Sequence, residues 1–216
     1  MKNLRLFFLT RFALNAFISE DYRKALRYFE KIRQISPDYP GISYNMGLCC
    51  LGMQEYESAE ARLLEDLEEF GESPDRLRIL GDLYYRWGRQ NRALESYIRL
   101  SEITGNDDEE GWLMKRIDLL RSDESAEKAL AAAAGLDTAL IAMKEKDYGK
   151  ARHLLEEAAE ADPSSFQILN NLGVVAMRAD RDPERALIYF RKAESLMPLP
   201  VHKENIRKAE KALKSI

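Results

Sequence analysis

The sequence is poor in residues that favour β-strands. Val and Thr together number six among 216 residues, whereas Leu, Ala, Glu, Lys and Arg are abundant. These abundant residues are strong helix formers, so the composition favours helix and we expect almost no sheet. Apolar residues make up 45% and charged residues 32% of the chain, which excludes a disordered protein and indicates one folded domain or at most two.

Cysteine is scarce as well, because Cys49 and Cys50 are the only two and they are neighbours. This pair cannot form a disulfide framework, so a reducing compartment is expected, with the cytoplasm as the default. The net charge of -4 and the sequence pI near 5.5 do not fit the strongly basic face of nucleic-acid binders. We therefore expect protein partners and no nucleic acid.

Long hydrophobic runs are also missing. Lys2 and Arg5 precede apolar residues, as in a signal peptide, but Arg11 interrupts the pattern and the uncharged run 6–10 is too short. The chain contains no stretch of about 18 apolar residues, so no integral membrane span is expected. A peripheral place in a membrane-associated assembly is the alternative to a cytoplasmic location.

Groups that could support catalysis are few. His153 and His202 are the only histidines, and the i, i+4 spacing of His153 and Glu157 supplies two metal ligands at most, which we interpret as a surface pair. Cys50 is interpreted as a core residue. A Gly-rich phosphate loop and a CxxC motif are both missing. The sequence therefore predicts a protein that is not an enzyme and has no cofactor and no metal.

Two acidic runs have the charge that could attract a basic partner or calcium. We interpret the first run, Glu65-Asp66 with Glu68-Glu69, as a solvated helix face, and the second, Asp107 to Glu110, as negative charge at a helix N-terminus.

The clearest pattern is an internal repeat. Ala25, Ala59 and Ala93 are spaced by 34 residues, and each is followed four residues later by a bulky apolar side chain. Gly47 and Gly81 keep the same step. Both series resume after a jump of 58 residues. Ala139 and Gly173 continue the series of Gly47 and Gly81, and Ala151 and Ala186 continue that of Ala25, Ala59 and Ala93.

The 58-residue jump implies a short, degenerate unit of 24 residues, after which we expect Gly135 to break the path into the next helix. The last unit carries one extra residue, expected near Asp182-Pro183, because Ala151 and Ala186 are 35 residues apart. Each unit is interpreted as a helix-turn-helix whose small residues let two backbones approach. The second helices are expected to stop at residues that end helices: Pro37, Gly71, Gly105, Pro163 and Pro198.

These residues resemble the tetratricopeptide repeat family, most closely at Asn45-Met46-Gly47 with Tyr56, Ala59 and Leu63, and at Asn171-Leu172-Gly173 with Ala186, Phe190 and Pro198. The resemblance implies an all-α, right-handed superhelical solenoid of antiparallel helix pairs, with about six repeats and a C-terminal capping helix. The expected units are repeats 1–39, 40–73, 74–107, 108–134 (degenerate), 135–163 and 164–198, and a cap over 200–214. In the cap, we expect Val201, Ile206, Ala209 and Leu213 to point inward.

In this family the first helix of each unit lines a concave groove that carries the ligand contacts. Carried over position by position, the resemblance implies a partner-binding groove made of Phe7, Thr10, Leu14, Phe17, Ile18, Tyr44, Leu48, Leu51, Arg78, Asp82, Tyr85 and Arg86. The family's chaperone-tail site is not matched, since Thr10, Leu14, Asp75 and Ile79 replace its cationic and amide positions.

The helical wheel of residues 2–19 adds independent support. Leu9, Phe12, Ala13 and Ala16 form a stripe for the paired helix, but Phe7, Leu14 and Ile18 lie on a different face and need a cover. We therefore predict a protein-protein interaction adaptor or assembly scaffold that binds an amphipathic helix or extended peptide of another protein. The alternative is a homo-oligomer that self-associates through the same stripe.

Overall fold

The computed structural model describes residues 2–104 and 110–215. Within them the chain forms twelve α-helices and no strand, so the prediction of an all-α repeat protein is confirmed. The helices are α1 (Lys2–Ile18), α2 (Tyr22–Ile35), α3 (Ile42–Gly52), α4 (Tyr56–Phe70), α5 (Pro74–Arg86), α6 (Gln90–Thr104), α7 (Glu110–Arg121), α8 (Asp123–Lys144), α9 (Tyr148–Ala161), α10 (Phe166–Val175), α11 (Pro183–Leu196) and α12 (Pro200–Leu213).

The chain divides into two compact units, Met1–Leu83 and Tyr84–Ile216. In the first unit α1 packs on α2, α2 on α3, and α3 on α4. Its core holds small residues from each helix beside larger apolar ones: Leu6, Ala13, Ala16, Ala25, Phe29, Ile32, Ile42, Met46 and Cys49. Because neither helix of a pair has a second apolar layer of its own, burial comes from stacking one pair on the next.

In the second unit each helix from α6 to α12 packs on its successor along the chain. One core cluster joins α8, α9 and α10 through residues such as Ala139, Leu155 and Leu172. Another joins α11 to α12 through Phe190 and Ala209.

A residue in the left-handed backbone conformation, with positive φ, lies in the turn of five helix pairs. Glu20, Gln54, Gly88, Lys146 and Arg181 all have φ between 53° and 74°, and each lies two residues before the second helix begins. Four of the five are not glycine, although this conformation favours glycine. The turn is therefore imposed by the packing of the helices that it joins.

Helix ends follow the predicted stop signals where the structure describes them. The last residues of α2, α4, α9 and α11 are followed within two residues by Pro37, Gly71, Pro163 and Pro198, respectively. Gly71 has φ 72°. Gly105 lies outside the described residues. At the other end of the second helices, Asp21, Asp147 and Asp182 accept hydrogen bonds from a backbone N–H three residues later, which satisfies a free donor of the first turn.

The expected break at Gly135 is wrong. Gly135 lies inside α8, a continuous helix of 22 residues that spans the predicted boundary between the fourth and fifth repeats. A glycine inside a helix costs only about 1 kcal/mol relative to alanine. The alanines around it, Ala132, Ala133 and Ala139, are buried, and their packing outweighs this cost.

The extra residue of the last repeat lies earlier than expected. After α10 the chain forms a π-helical segment, Ala176–Asp180, and the Asp182 N–H then donates to the Ala176 carbonyl at 3.1 Å. A π-helical turn is the usual way for a helix to absorb one inserted residue. The insertion therefore widens the end of the first helix and leaves the start of α11 unchanged.

In α12 the inward face also differs from the prediction. Ala209 is buried, but Val201 is 49% exposed and His202 is 1% exposed. His202 Nδ1 lies 2.7 Å from the Met197 carbonyl oxygen, and its ring packs against Phe166. Because Met197 lies on the preceding connection, this hydrogen bond fixes where the helix starts and turns residue 202 inward.

Whether a small residue is required by packing can be tested at two glycines. A methyl group added at Gly173 would lie less than 3.0 Å from three ring carbons of Phe190, whereas one added at Gly135 meets nothing within 4 Å. We expect Gly173→Ala to lower the free energy of unfolding by about 1–3 kcal/mol through overpacking. Gly135→Ala should raise it by about 0.5–1 kcal/mol. Urea unfolding followed by circular dichroism measures both, and two shifts of the same sign would contradict the assignment.

Candidate functional site

The first helix carries most of the exposed apolar surface of the first unit. Phe7 is 58% exposed, Leu14 44% and Ile18 78%. At 100° per residue these three side chains fall within one narrow arc of α1, which we call the groove face. Large apolar groups on one exposed arc are typical of a surface that another molecule covers.

The opposite side of α1 holds the helix in place. Leu6, Ala13 and Ala16 are buried, Phe17 packs edge-on against Tyr22, and the hydroxyl groups of Thr10 and Tyr39 are 3.1 Å apart. Thr10 and Phe17 are therefore half-buried parts of the scaffold beside the groove face, rather than free binding groups. Phe12, which we expected in the packing stripe, remains 47% exposed although its ring lies 5.7 Å from that of Tyr28.

Every charged residue of α1 is a cation. Lys2, Arg5 and Arg11 are its only charged residues, and none of them forms an ion pair with any residue that the structure describes. Arg11 lies four residues after Phe7 and three before Leu14, at one edge of the groove face, since it is about 20° beyond Ile18 around the helix.

The predicted groove residues of α3 are less accessible. Tyr44 and Leu48 are half-buried, and Leu51 is 6% exposed. The Leu51 side chain belongs to the core, and its role as a groove contact stays a prediction. Burial, together with the negative charge of Asp75, raises the pKa of Tyr44, so its hydroxyl group stays protonated and can donate a hydrogen bond.

Several charged groups near Tyr44 pair with one another. Arg78 is half-buried and donates to Asp75 at 3.0 Å, while Asp82 is half-buried on the same helix. Asp66 is completely buried and accepts from Arg76 Nε at 2.6 Å. The interpretation of the first acidic run as a solvated face is therefore wrong at Asp66. Residues 107–109 of the second acidic run lie outside the described residues.

Tyr85 and Arg86 belong to the second unit, and the structure gives both a structural role. Tyr85 is 2% exposed, and its hydroxyl group lies 2.8 Å from Asp162 Oδ2 and 3.1 Å from the Ala129 carbonyl oxygen. This network holds Tyr85 inside, and its role as a groove contact stays a prediction. Arg86 is half-buried and pairs with Asp137 of α8 at 3.2 Å.

The network around Tyr85 centres on Arg116, a residue that the sequence pattern did not single out. The Arg116 side chain is 5% exposed and donates to Ser164 Oγ at 2.9 Å and to Asp162 Oδ2 at 3.4 Å. Its guanidinium group lies 4.0 Å from the centre of the Tyr85 ring, with Tyr97 and Trp112 at 5.9 and 5.8 Å. This cluster adds buried polar contacts to the apolar packing of Trp112, Ile117 and Leu120 in the degenerate repeat.

The groups considered for catalysis do not assemble into a reactive site. The described residues contain no group of three or more His, Cys, Asp or Glu side chains that could hold a metal ion. His153 Nε2 lies 3.5 Å from Glu157 Oε1 on an exposed helix face. Cys49 and Cys50 are buried free thiols, and burial raises the pKa of Cys49 to about 12 and also raises that of Cys50.

No helix in the described part of the chain combines the length and the hydropathy needed to cross a bilayer.

Paired helices on a near-34-residue period define a helical-repeat protein. Two tetratricopeptide repeat models match the sequence, one over residues 16–83 and the other over residues 136–198. Together they cover more than half of the chain, which belongs to the tetratricopeptide repeat family.

Similar solved structures have low sequence identity. A crystal structure of YrrB, described as a TPR protein with an unusual peptide-binding site, is 18% identical over 93% of this chain and 90% of its own, with a TM-score of 0.44. MamA 41-end from Desulfovibrio magneticus RS-1 is 15% identical over 89% and 94%, with a TM-score of 0.48. The APC/C hetero-tetramer Cut9-Hcn1 is 14% identical over 94% and 42%, with a TM-score of 0.50. No curated protein matches the sequence significantly.

The Arg116 cluster predicts a large effect on stability. Arg116→Met leaves Asp162 buried without its cation and should lower the free energy of unfolding by about 3–5 kcal/mol. Arg121→Met is the matched control. It removes the exposed pair with Asp118 and should change the free energy of unfolding little. Chemical denaturation measures both. Equal effects of the two variants would show that the buried pair is not important.

The buried thiols predict slow modification of the native protein. With a pKa of about 12, only about one Cys49 side chain in ten thousand is a thiolate at about pH 8, against about a quarter in an unfolded chain. We expect an aromatic disulfide reagent to label the native protein at least about a hundredfold more slowly than the urea-unfolded protein. Fast labelling of Cys49 in the native state, read by mass spectrometry, would contradict its burial.

Proposed function

We propose that this protein is a non-catalytic interaction module that binds an amphipathic helix or extended apolar peptide of another protein on the groove face of α1. The observation that carries the proposal is the exposure of Phe7, Leu14 and Ile18 on a helix whose other side is anchored in the core. Covering such a face removes apolar surface from water, which drives most protein association.

The charge on α1 favours a different protein over a second copy of this chain. Arg11 is at one edge of the groove face, and α1 has no acidic residue. Two groove faces packed together would bring like charges together, whereas a partner segment with a carboxylate opposite Arg11 would gain a charge-assisted hydrogen bond. Half-buried Tyr44 and Leu48 extend the apolar surface onto α3 in this proposal.

Leu14→Glu and Ile18→Glu test the groove face. Peptides selected from a displayed library on the wild-type protein should bind each variant at least about tenfold more weakly, because a buried carboxylate opposes apolar contact. Fluorescence anisotropy of a labelled peptide measures the affinity, and circular dichroism checks that helical content is unchanged.

Ile188→Glu supplies the matched control, because Ile188 is a comparably exposed apolar residue, 56% exposed, on α11 of the second unit. Its affinity for the peptides should equal that of the wild type. If Ile188→Glu weakens binding as much as Leu14→Glu, the groove face is not the site. Light scattering at micromolar concentration should show a monomer, and a dimer that Leu14→Glu dissolves would support self-association instead.

A further inference from the structure

A second surface of α1 has the character of a helix-stacking site. Phe8 and Phe12 are each 47% exposed, their rings are stacked with centres 6.4 Å apart, and Phe12 packs on Tyr28 of α2. We call these three residues the leading edge. Phe12 lies about 140° from Phe7 around the helix, whereas Phe8 borders the groove face, with its ring centre 5.6 Å from that of Phe7.

The equivalent positions of the next repeat indicate what kind of surface packs on this edge. Phe8 and Phe12 lie 34 residues before Ile42 and Met46, the equivalent positions of α3. Ile42 and Met46 are 5% and 3% exposed, because they pack in one cluster with residues of α2. Phe8 and Phe12 thus occupy positions that are buried under a preceding helix in the next repeat, but no helix of the described chain covers them.

The edge also has a shape that suits a helix. A groove runs between α1 and α2, with Phe12, Ala16 and Tyr28 among the apolar residues that line it and Asn15, Ser19 and Lys24 among the polar ones. The buried Ala16 leaves room between the two aromatic side chains. A ridge of side chains from another helix fits such a groove, as helices pack by ridges and grooves.

The charges around the edge indicate the chemistry of that helix. Lys24 lines the groove, Lys31 lies 5.6 Å from the centre of the Tyr28 ring, and Arg5 lies two helical turns before Phe12 on the same face. None of these three cations forms an ion pair with a described residue. The acid that lines the groove, Asp21, accepts from the Lys24 backbone N–H as a helix cap.

We propose that the leading edge binds an α-helix of another protein that carries an apolar stripe flanked by acidic side chains, in the place that α2 takes on α3. Neither α1 nor α12 of a second copy matches this description, since α1 has no acid and α12 carries more cations than acids. This surface shares no residue with the groove face, so either proposal can fail alone.

Two stapled helical peptides serve as probes. Both keep the apolar residues of α2, a 14-residue helix, but one carries Glu at its five cationic positions and the other keeps Lys or Arg there. We expect the acidic peptide to bind the full-length protein at least about tenfold more tightly than the basic one. Raising the salt from about 0.05 M to about 0.5 M should weaken its binding several-fold.

Variants locate the contact. Phe8→Ser and Phe12→Ser should each weaken binding of the acidic peptide at least about tenfold, whereas Leu14→Glu on the groove face should leave it unchanged. The double variant Lys24→Glu/Lys31→Glu keeps every apolar contact and should reverse the preference, so that the basic peptide binds more tightly. Circular dichroism confirms that each variant is folded.

Several results would overturn the proposal. These are equal binding of the two peptides, a charge-swapped variant that keeps the original preference, and loss of binding in Leu14→Glu but not in Phe12→Ser. A dimer seen by light scattering that Phe12→Ser dissolves would assign the edge to a second copy of the chain. Binding to vesicles of anionic lipid that Phe12→Ser abolishes, without binding of the acidic peptide, would assign it to a membrane surface.

Discussion

The close approach of two helices at a small residue is the contact on which the rest of the structure depends. Ala25, Ala59, Ala93, Ala151 and Ala186 are all completely buried, one in each second helix of a pair. On the facing helices, a methyl group at Gly47 or Gly173 would collide with Leu63 or Phe190. Because interiors are close-packed, this fit sets the spacing of each pair, and the pair then offers its remaining apolar surface to the next.

Where the repeat is irregular, buried charges replace apolar packing. Asp66 and Arg76 occupy the positions of Ile32 and Ile42 one repeat earlier, and Arg116 with Asp162 joins α7 to the α9–α10 connection. Removing water from such pairs costs free energy that their attraction only partly returns, so they contribute little net stability. Their effect is geometric, because each pair forms only when the helices that carry the two side chains are correctly placed.

The alternation of small and large residues between neighbouring helices also explains why α1 has two exposed apolar faces. In α3, the residues equivalent to Phe8 and Phe12 are buried under a preceding helix pair, whereas α1 has no such neighbour in the described chain. The groove face adds a second arc on the other side of the helix. A rigid scaffold that presents uncovered side chains on one helix is suited to recognition, and the chemistry of the partner is set by those side chains and not by the fold.

The sequence alone determined the repeat, its small-residue positions and the exposed stripe of α1, because each depends on spacing along one or two helices. Tertiary structure decided what depends on distant contacts. Gly135 stays helical because its neighbours pack, Leu51 and Asp66 are buried by stacked helices, and Tyr85 is held by Asp162, 77 residues away. Local periodicity shows which face of a helix is apolar, but only the assembled neighbours decide which apolar or charged side chains are covered.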